Sequence, residues 1–263
     1  MAYGLTQSCD FTAASSERAE KTSGLTGFPS GASARTFEGW IKYNGTVGQY
    51  CFGHGSDSGT GTAFSIWIEN GATDGIWLRT NGGRLEWNSA TICDGNWHHI
   101  AITHDGSTPM SGTTTKCYQN GVALTANDLV GSGTVNTNNA RIRIGTGDSI
   151  TPGSFWDGNL SLVRLWTVAR TQSEIVANAC NVLGATTNLK AEYKLDGDYT
   201  DNTGGGFDLT AYNTPAFVSD VPSTCTVAGP TTVKTVDGVT VSSQLKTLDA
   251  VALASIKSIN GNT

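Results

Sequence analysis

Charge is what this sequence has least of. Its 16 Lys and Arg and 22 Asp and Glu make up 14% of 263 residues, against roughly 25% in an average globular chain. The few basic residues are scattered, the net charge is −6 and the pI is near 5.1. A phosphate backbone would find no footing, so nucleic acid is excluded as an expected partner. No run of 18 apolar residues occurs, so no membrane-spanning helix is expected and no membrane partner either. The N-terminus, Met1 to Gln7, has no basic region followed by an apolar one, so a removed secretory signal is not expected. No CxxC pair or zinc-finger spacing joins the six cysteines at 9, 51, 93, 117, 180 and 225. They are read as buried small side chains or disulfides, with Cys180–Cys225 the first pairing to expect because both flank the same terminal segment.

What is abundant is glycine, 33 residues, with Ser, Thr and Asn filling much of the rest. Short strands joined by tight turns have this texture, and long helices do not. Alternation recurs about every ten residues: Phe37–Tyr43 before Asn44-Gly45, Phe64–Glu69, Ile76–Thr80, Arg84–Asn88, Trp97–Thr103, Lys116–Gln119, Ala140–Gly145 and Leu160–Trp166. Further strands are expected in Leu189–Leu195 and Phe207–Val218. One short helix is predicted after Thr171, where Thr171-Gln172-Ser173-Glu174 forms a capping box, ending near Cys180. About twelve strands in one unit of 222 residues predict an all-β, two-sheet antiparallel sandwich. Pro222 marks the expected boundary with a tail over 223–263.

The order of the segments resembles the concanavalin A-like, laminin-G-like jelly rolls. Phe37-Glu38-Gly39-Trp40 resembles their first core strand. The run from Asp94-Gly95-Asn96-Trp97-His98-His99 to Asp105-Gly106 resembles their most recognisable motif, and Cys117 to Val122 the hairpin after it. Asp157 to Trp166 resembles the strand before the capped helix, and Leu189 to Gly197 with Asp208-Leu209-Thr210 the closing strands. The resemblance spans residues 3–222 and implies a fold; domains of this kind bind glycans, bind proteins or build scaffolds.

Catalytic relatives of that fold need two carboxylates sharing a strand face, about 5 Å apart for the retaining route, as in E-x-D-x-x-E. No such pattern is present. Glu38, Glu69, Glu86 and Glu192 each stand alone, and His98 and His99 read as sheet residues. No Ser/His/Asp or Cys/His set and no phosphate loop appears, so the chain is not expected to be an enzyme; a glycoside hydrolase is the remote alternative.

Period-two reading does single out one face. Trp67 falls with Ser65 and Glu69, and Trp77 with Arg79, opposite the aliphatic sides of their strands. Trp67, Glu69, Trp77 and Arg79 therefore form a candidate glycan site, with a subunit contact or a covered second face as the alternatives. Trp40 shares a face with Glu38 and Lys42 and reads as structural; Trp87 reads as core. Asp196, Asp198, Asp201 and Asn202 supply oxygens of the type a structural calcium takes, or else are solvated turn residues.

The tail repeats a short unit. Val233-Lys234-Thr235-Val236-Asp237-Gly238 is echoed at Leu245–Ala250 and Ile256–Gly261, at spacings of twelve and eleven. Val233, Val236, Leu245, Leu248, Ile256 and Ile259 are the candidate assembly residues. Three short strands bury no core alone, so the tail is expected to pair with its own sandwich or with a neighbouring copy. The repeats loosely resemble those ending phage and environmental surface proteins. That resemblance implies a non-enzymatic adhesive module of a bacteriophage virion, a head decoration or tail-associated part, located on a virion or extracellular surface. Its partners would be itself, other subunits or surface glycans. The alternatives are a free carbohydrate-binding lectin and a secreted filament subunit.

Overall fold

The computed structural model describes residues 4–56, 58–147, 153–222 and 227, with the backbone of 233–236 and 239–242. Within these, two antiparallel eight-stranded sheets lie face to face. The first sheet contains β1 (Ser8–Phe11), β3 (Arg35–Tyr43), β8 (Trp97–His104), β9 (Thr115–Gln119), β10 (Val122–Leu124), β13 (Gly158–Trp166), β14 (Leu189–Tyr193) and β16 (Ala216–Val218). The second contains β2 (Arg18–Lys21), β4 (Gln49–Gly55), β5 (Ala63–Glu69), β6 (Gly75–Thr80), β7 (Gly83–Asn88), β11 (Asp128–Gly131), β12 (Ile142–Ile144) and β15 (Thr210–Tyr212). Their orders are β10-β9-β8-β3-β13-β1-β16, with β14 also on β13, and β11-β7-β6-β5-β4-β12-β2-β15. The expected sandwich is present, richer in strands than the sequence suggested.

Strand alternation builds the interior. Phe37, Ile41 and Tyr43 from the first sheet meet Phe52, Phe64, Ile66, Ile68, Ile76, Leu78 and Trp87 from the second, all buried in one cluster. Removing this apolar surface from water is the main force closing the layers. Trp87 is core, as its pairing with Leu85 on one strand face predicts.

Three local features position what lies outside that core. The two-residue turn Asn81-Gly82 pairs Thr80 with Gly83 and thereby fixes the β6–β7 register. Strand β4 bulges between Tyr50 and Phe52, so Cys51 and Phe52 both enter the core while Tyr50 faces out. Strand β13 bulges between Ser161 and Arg164, where Leu162 takes a left-handed φ of 51°. A side chain at the opposing Gly39 would press on Val163 and Phe52. Past this bulge, Arg164 stands directly opposite Glu38.

Helix α1 (Gln172–Asn178) begins as predicted, with the Thr171 hydroxyl accepting from the Glu174 N–H and the Glu174 carboxylate accepting from the Thr171 N–H. Its Ile175 packs on Ala101 and Tyr118 of the first sheet. Cys180, just beyond, is disulfide-bonded; Cys9, Cys51, Cys93 and Cys117 are free thiols. Cys225 lies outside the described residues. In the tail, β17 (Val233–Val236) pairs antiparallel with β18 (Val239–Ser242). Val233 and Val236 fall on β17; Leu245, Leu248, Ile256 and Ile259 lie outside the described residues.

Candidate functional site

The outer faces of the two sheets differ. On the first, α1 and the segment after it cover a buried ionic cluster. Arg164 and Glu192 meet at 2.7 Å and Arg164 and Glu38 at 3.5 Å, all three side chains without solvent exposure. Arg170 reaches Glu38 at 3.3 Å and lies over the Trp166 ring, whose N–H donates to Glu38 at 2.8 Å. The Leu183 and Gly184 N–H groups and the Asn202 amide donate to Glu192. Glu38 and Glu192, which read as isolated acids in the sequence, are thus joined through one guanidinium. Neither opens to a cleft. Trp40 is buried here, its N–H donating to the Ala179 carbonyl at 2.8 Å, consistent with a structural role.

The two histidines of the motif are sheet residues. Burial pushes His99 down to about 4, with Glu38 acting in the opposite sense. His98 accepts at Nδ1 from the Asn120 amide at 3.0 Å, so Nε2 carries the hydrogen donated to Asp94, also at 3.0 Å.

On the second sheet the central outer face is open. Cross-strand partners share a face, and the registers give three rows. Tyr50, Trp67, Trp77, Glu86 and Asp128 form one; Gly53, Ser65, Arg79, Arg84 and Val130 form the next; Glu69, Gly75 and Asn88 form the third. The four residues singled out from sequence are brought together. Trp67 and Trp77 lie 6.2 Å apart with planes only 13° from parallel. The Trp67 N–H donates to Glu69 at 2.7 Å, and Tyr50 meets the Trp67 ring edge-on at 4.8 Å. Arg79 lies 4.7 Å over Trp67 and Arg84 4.6 Å over Trp77, and Arg84 is paired with Glu86. These aromatic and charged groups are half-buried: held by one another, yet reachable by solvent.

Beside them a groove of about 420 Å³ is lined by Tyr50, Ser65, Arg79, Asn81, Arg84 and Val130, with small residues around them. Tyr50 and Arg84 are the members the sequence reading missed. The first sits on a strand whose alternation the Cys51 bulge interrupts. The second could have been found by taking Asn81-Gly82 as a two-residue turn, which puts Arg84 opposite Arg79.

The acidic loop is not gathered around one point. Asp196 Oδ1 accepts from the Thr6 and Gln7 backbone and from the Thr6 hydroxyl. Asp198 accepts from the Thr200 N–H, buried Asp201 from the Glu192 and Thr203 N–H groups, and Asn202 donates to Glu192. Among the described residues no group of three or more His, Cys, Asp or Glu side chains could hold a metal ion. Each of these four side chains is engaged with backbone or side-chain groups of its own.

A laminin-G-type family model, described as the concanavalin A-like lectin/glucanases superfamily, matches residues 18–176. The chain belongs to that superfamily. Among solved structures, a candidate carbohydrate-binding protein from Bacteroides ovatus ATCC 8483 is similar, with 22% identity and a TM-score of 0.59, over 81% of this chain and 60% of that one. The present superfamily member thus spans about 60% of that protein's length. A heptameric SAP-like pentraxin from Limulus polyphemus aligns at 16% identity over 76% of this chain and 93% of its own, with a TM-score of 0.49. The CBM40 of a Ruminococcus gnavus IT-sialidase, bound to α2,3 sialyllactose, aligns at 16% identity over 56% and 82%, with a TM-score of 0.42. No curated protein matches. No helix of the described residues is long and apolar enough to cross a membrane.

Proposed function

We propose that this lectin-like sandwich binds carbohydrate on the outer face of its second sheet, through Trp67, Trp77, Glu69 and Arg79, and does not cleave it. The observation that carries this reading is the open pair of near-parallel indoles flanked by a carboxylate and a guanidinium. Sugar rings present C–H faces to aromatic rings and hydroxyls to charged groups, and such a half-exposed set offers both. Membership of the superfamily fits the reading without requiring it.

Binding without hydrolysis is supported by where the acids lie. Among the described residues no carboxylate lines the groove beside the indoles. Glu86 and Asp128 are cross-strand partners on this face, but Glu86 is held by Arg84 and Asp128 is on the edge strand β11. The expectation of a bacteriophage virion part draws no support from the family match or the similar structures, and the lectin alternative becomes the leading one. A glycan array tests it. Binding that Trp77→Ala abolishes while the variant keeps its melting temperature supports the reading, with no release of shortened sugars from bound glycans. An array without binding, or binding untouched by Trp67→Ala and Trp77→Ala, overturns it.

A further inference from the structure

Resting on that reading, we infer that the groove selects acidic sugars, with Arg79 and Arg84 receiving a sugar carboxylate as the indoles hold the ring. Four observations converge. Arg79 and Arg84 are direct cross-strand partners, and like charges set opposite each other on a sheet destabilise it unless something neutralises them. Arg84 has Glu86 for that purpose. Arg79 makes no ion pair and no side-chain hydrogen bond among the described residues; its guanidinium rests only on the rings of Trp67 and Tyr50, at 4.7 and 5.5 Å.

The lining sharpens the argument. On a chain of net charge −6, the described residues lining the groove include two arginines and no acid. Asn81, Thr80 and Ser65 complete the polar part of the lining, and Gly82, Gly83 and Gly131 keep its rim low. A volume of about 420 Å³ lies in the range that takes small ligands, roughly 300–1,000 Å³. The planar guanidinium fork matches a carboxylate in two parallel hydrogen bonds, which favours uronic and sialic acids over neutral sugars. Extended polyanions fit poorly, because the next arginine along this row, Arg143, is buried and already paired with Glu20.

The test prints uronic- and sialic-acid glycans as free acids and as methyl esters, beside neutral oligosaccharides, and probes them with the full chain. The ester keeps the shape and removes the charge. The expectation is that free acids bind about tenfold or more tighter than their esters. Arg79→Gln should erase that difference without shifting the melting temperature, and Arg79→Lys, which keeps charge but not the fork, should restore it only partly. Should either arginine variant unfold, the acid–ester comparison on the native chain still decides. Equal binding of acids, esters and neutral sugars would overturn the acidic preference while leaving glycan binding intact. Absence of binding to every glycan would overturn both.

Discussion

The two outer faces of this sandwich use the same side chains to opposite ends. On the first sheet, Trp40, Trp166, Glu38, Glu192, Arg164 and Arg170 are enclosed beneath α1 and the chain that follows it. On the second, Trp67, Trp77, Glu69, Glu86, Arg79 and Arg84 lie half-open with no helix of the described residues above them. Composition does not separate the two. Enclosure does: under cover, an arginine must have its N–H groups filled, and Arg164 donates to two carboxylates and to the Asn178 and Asn181 carbonyls. In the open, where water can serve instead, Arg79 has no carboxylate partner among the described residues, and the proposed ligand role rests on that difference.

The largest expected effect comes from breaking the closed side. Arg164→Ala strands Glu38 and Glu192 in the interior and should cost about 3–5 kcal/mol, as loss of one partner from a buried ionic set does. Urea denaturation measures it; a loss under about 1 kcal/mol would mean the cluster is not the enclosed ionic set described. On the open side, Arg79→Gln should leave stability within about 0.5 kcal/mol of the native chain, so its effect should appear in binding alone.

Acid should attack the closed interior as well. Burial lowers His54 to about 3, and His99 and His104 to about 4 each, against about 6.5 in an unfolded chain. The unfolded state therefore takes up protons that the folded state refuses. The stabilisation is complete above about pH 6.5 and is lost as pH falls from there toward 4 and below. Melting temperatures across that range should drop steadily, and His54→Phe should flatten the slope; an unchanged profile would show that His54 titrates normally. A smaller loss than that of Arg164→Ala is expected at the cover itself: Thr171→Ala removes the helix cap and should cost about 1 kcal/mol in the same denaturation measurement, while leaving glycan binding on the far face unchanged.

Much of this was legible in the sequence, and for stated reasons. Strands β5, β6 and β7 alternate cleanly, because one side meets the core and the other does not, and the same alternation put Trp67, Glu69, Trp77 and Arg79 on one face. Strand β4 was missed because Cys51 adds a residue to its register and Gly53 and Gly55 carry no side chain to alternate. Strand β2, Arg-Ala-Glu-Lys, reads as polar, yet its Glu20 is buried against Arg143. Pairing of Glu38 and Glu192 through Arg164 depends on three strands distant in sequence and on the Leu162 bulge, and no local pattern encodes it. The hydrogen bonds that Asp201 accepts were not legible, because side-chain type shows in a sequence and hydrogen-bond direction does not.

The central claim, that the open face of the second sheet is where sugar lands, is tested most directly by following the indole N–H resonances of the seven tryptophans during titration with the best glycan from the array. The account predicts that Trp67 and Trp77 shift while Trp40, Trp87 and Trp166, enclosed or hydrogen-bonded elsewhere, stay in place. Movement of Trp40 and Trp166 with Trp67 and Trp77 unmoved would put the ligand on the opposite sheet and contradict it.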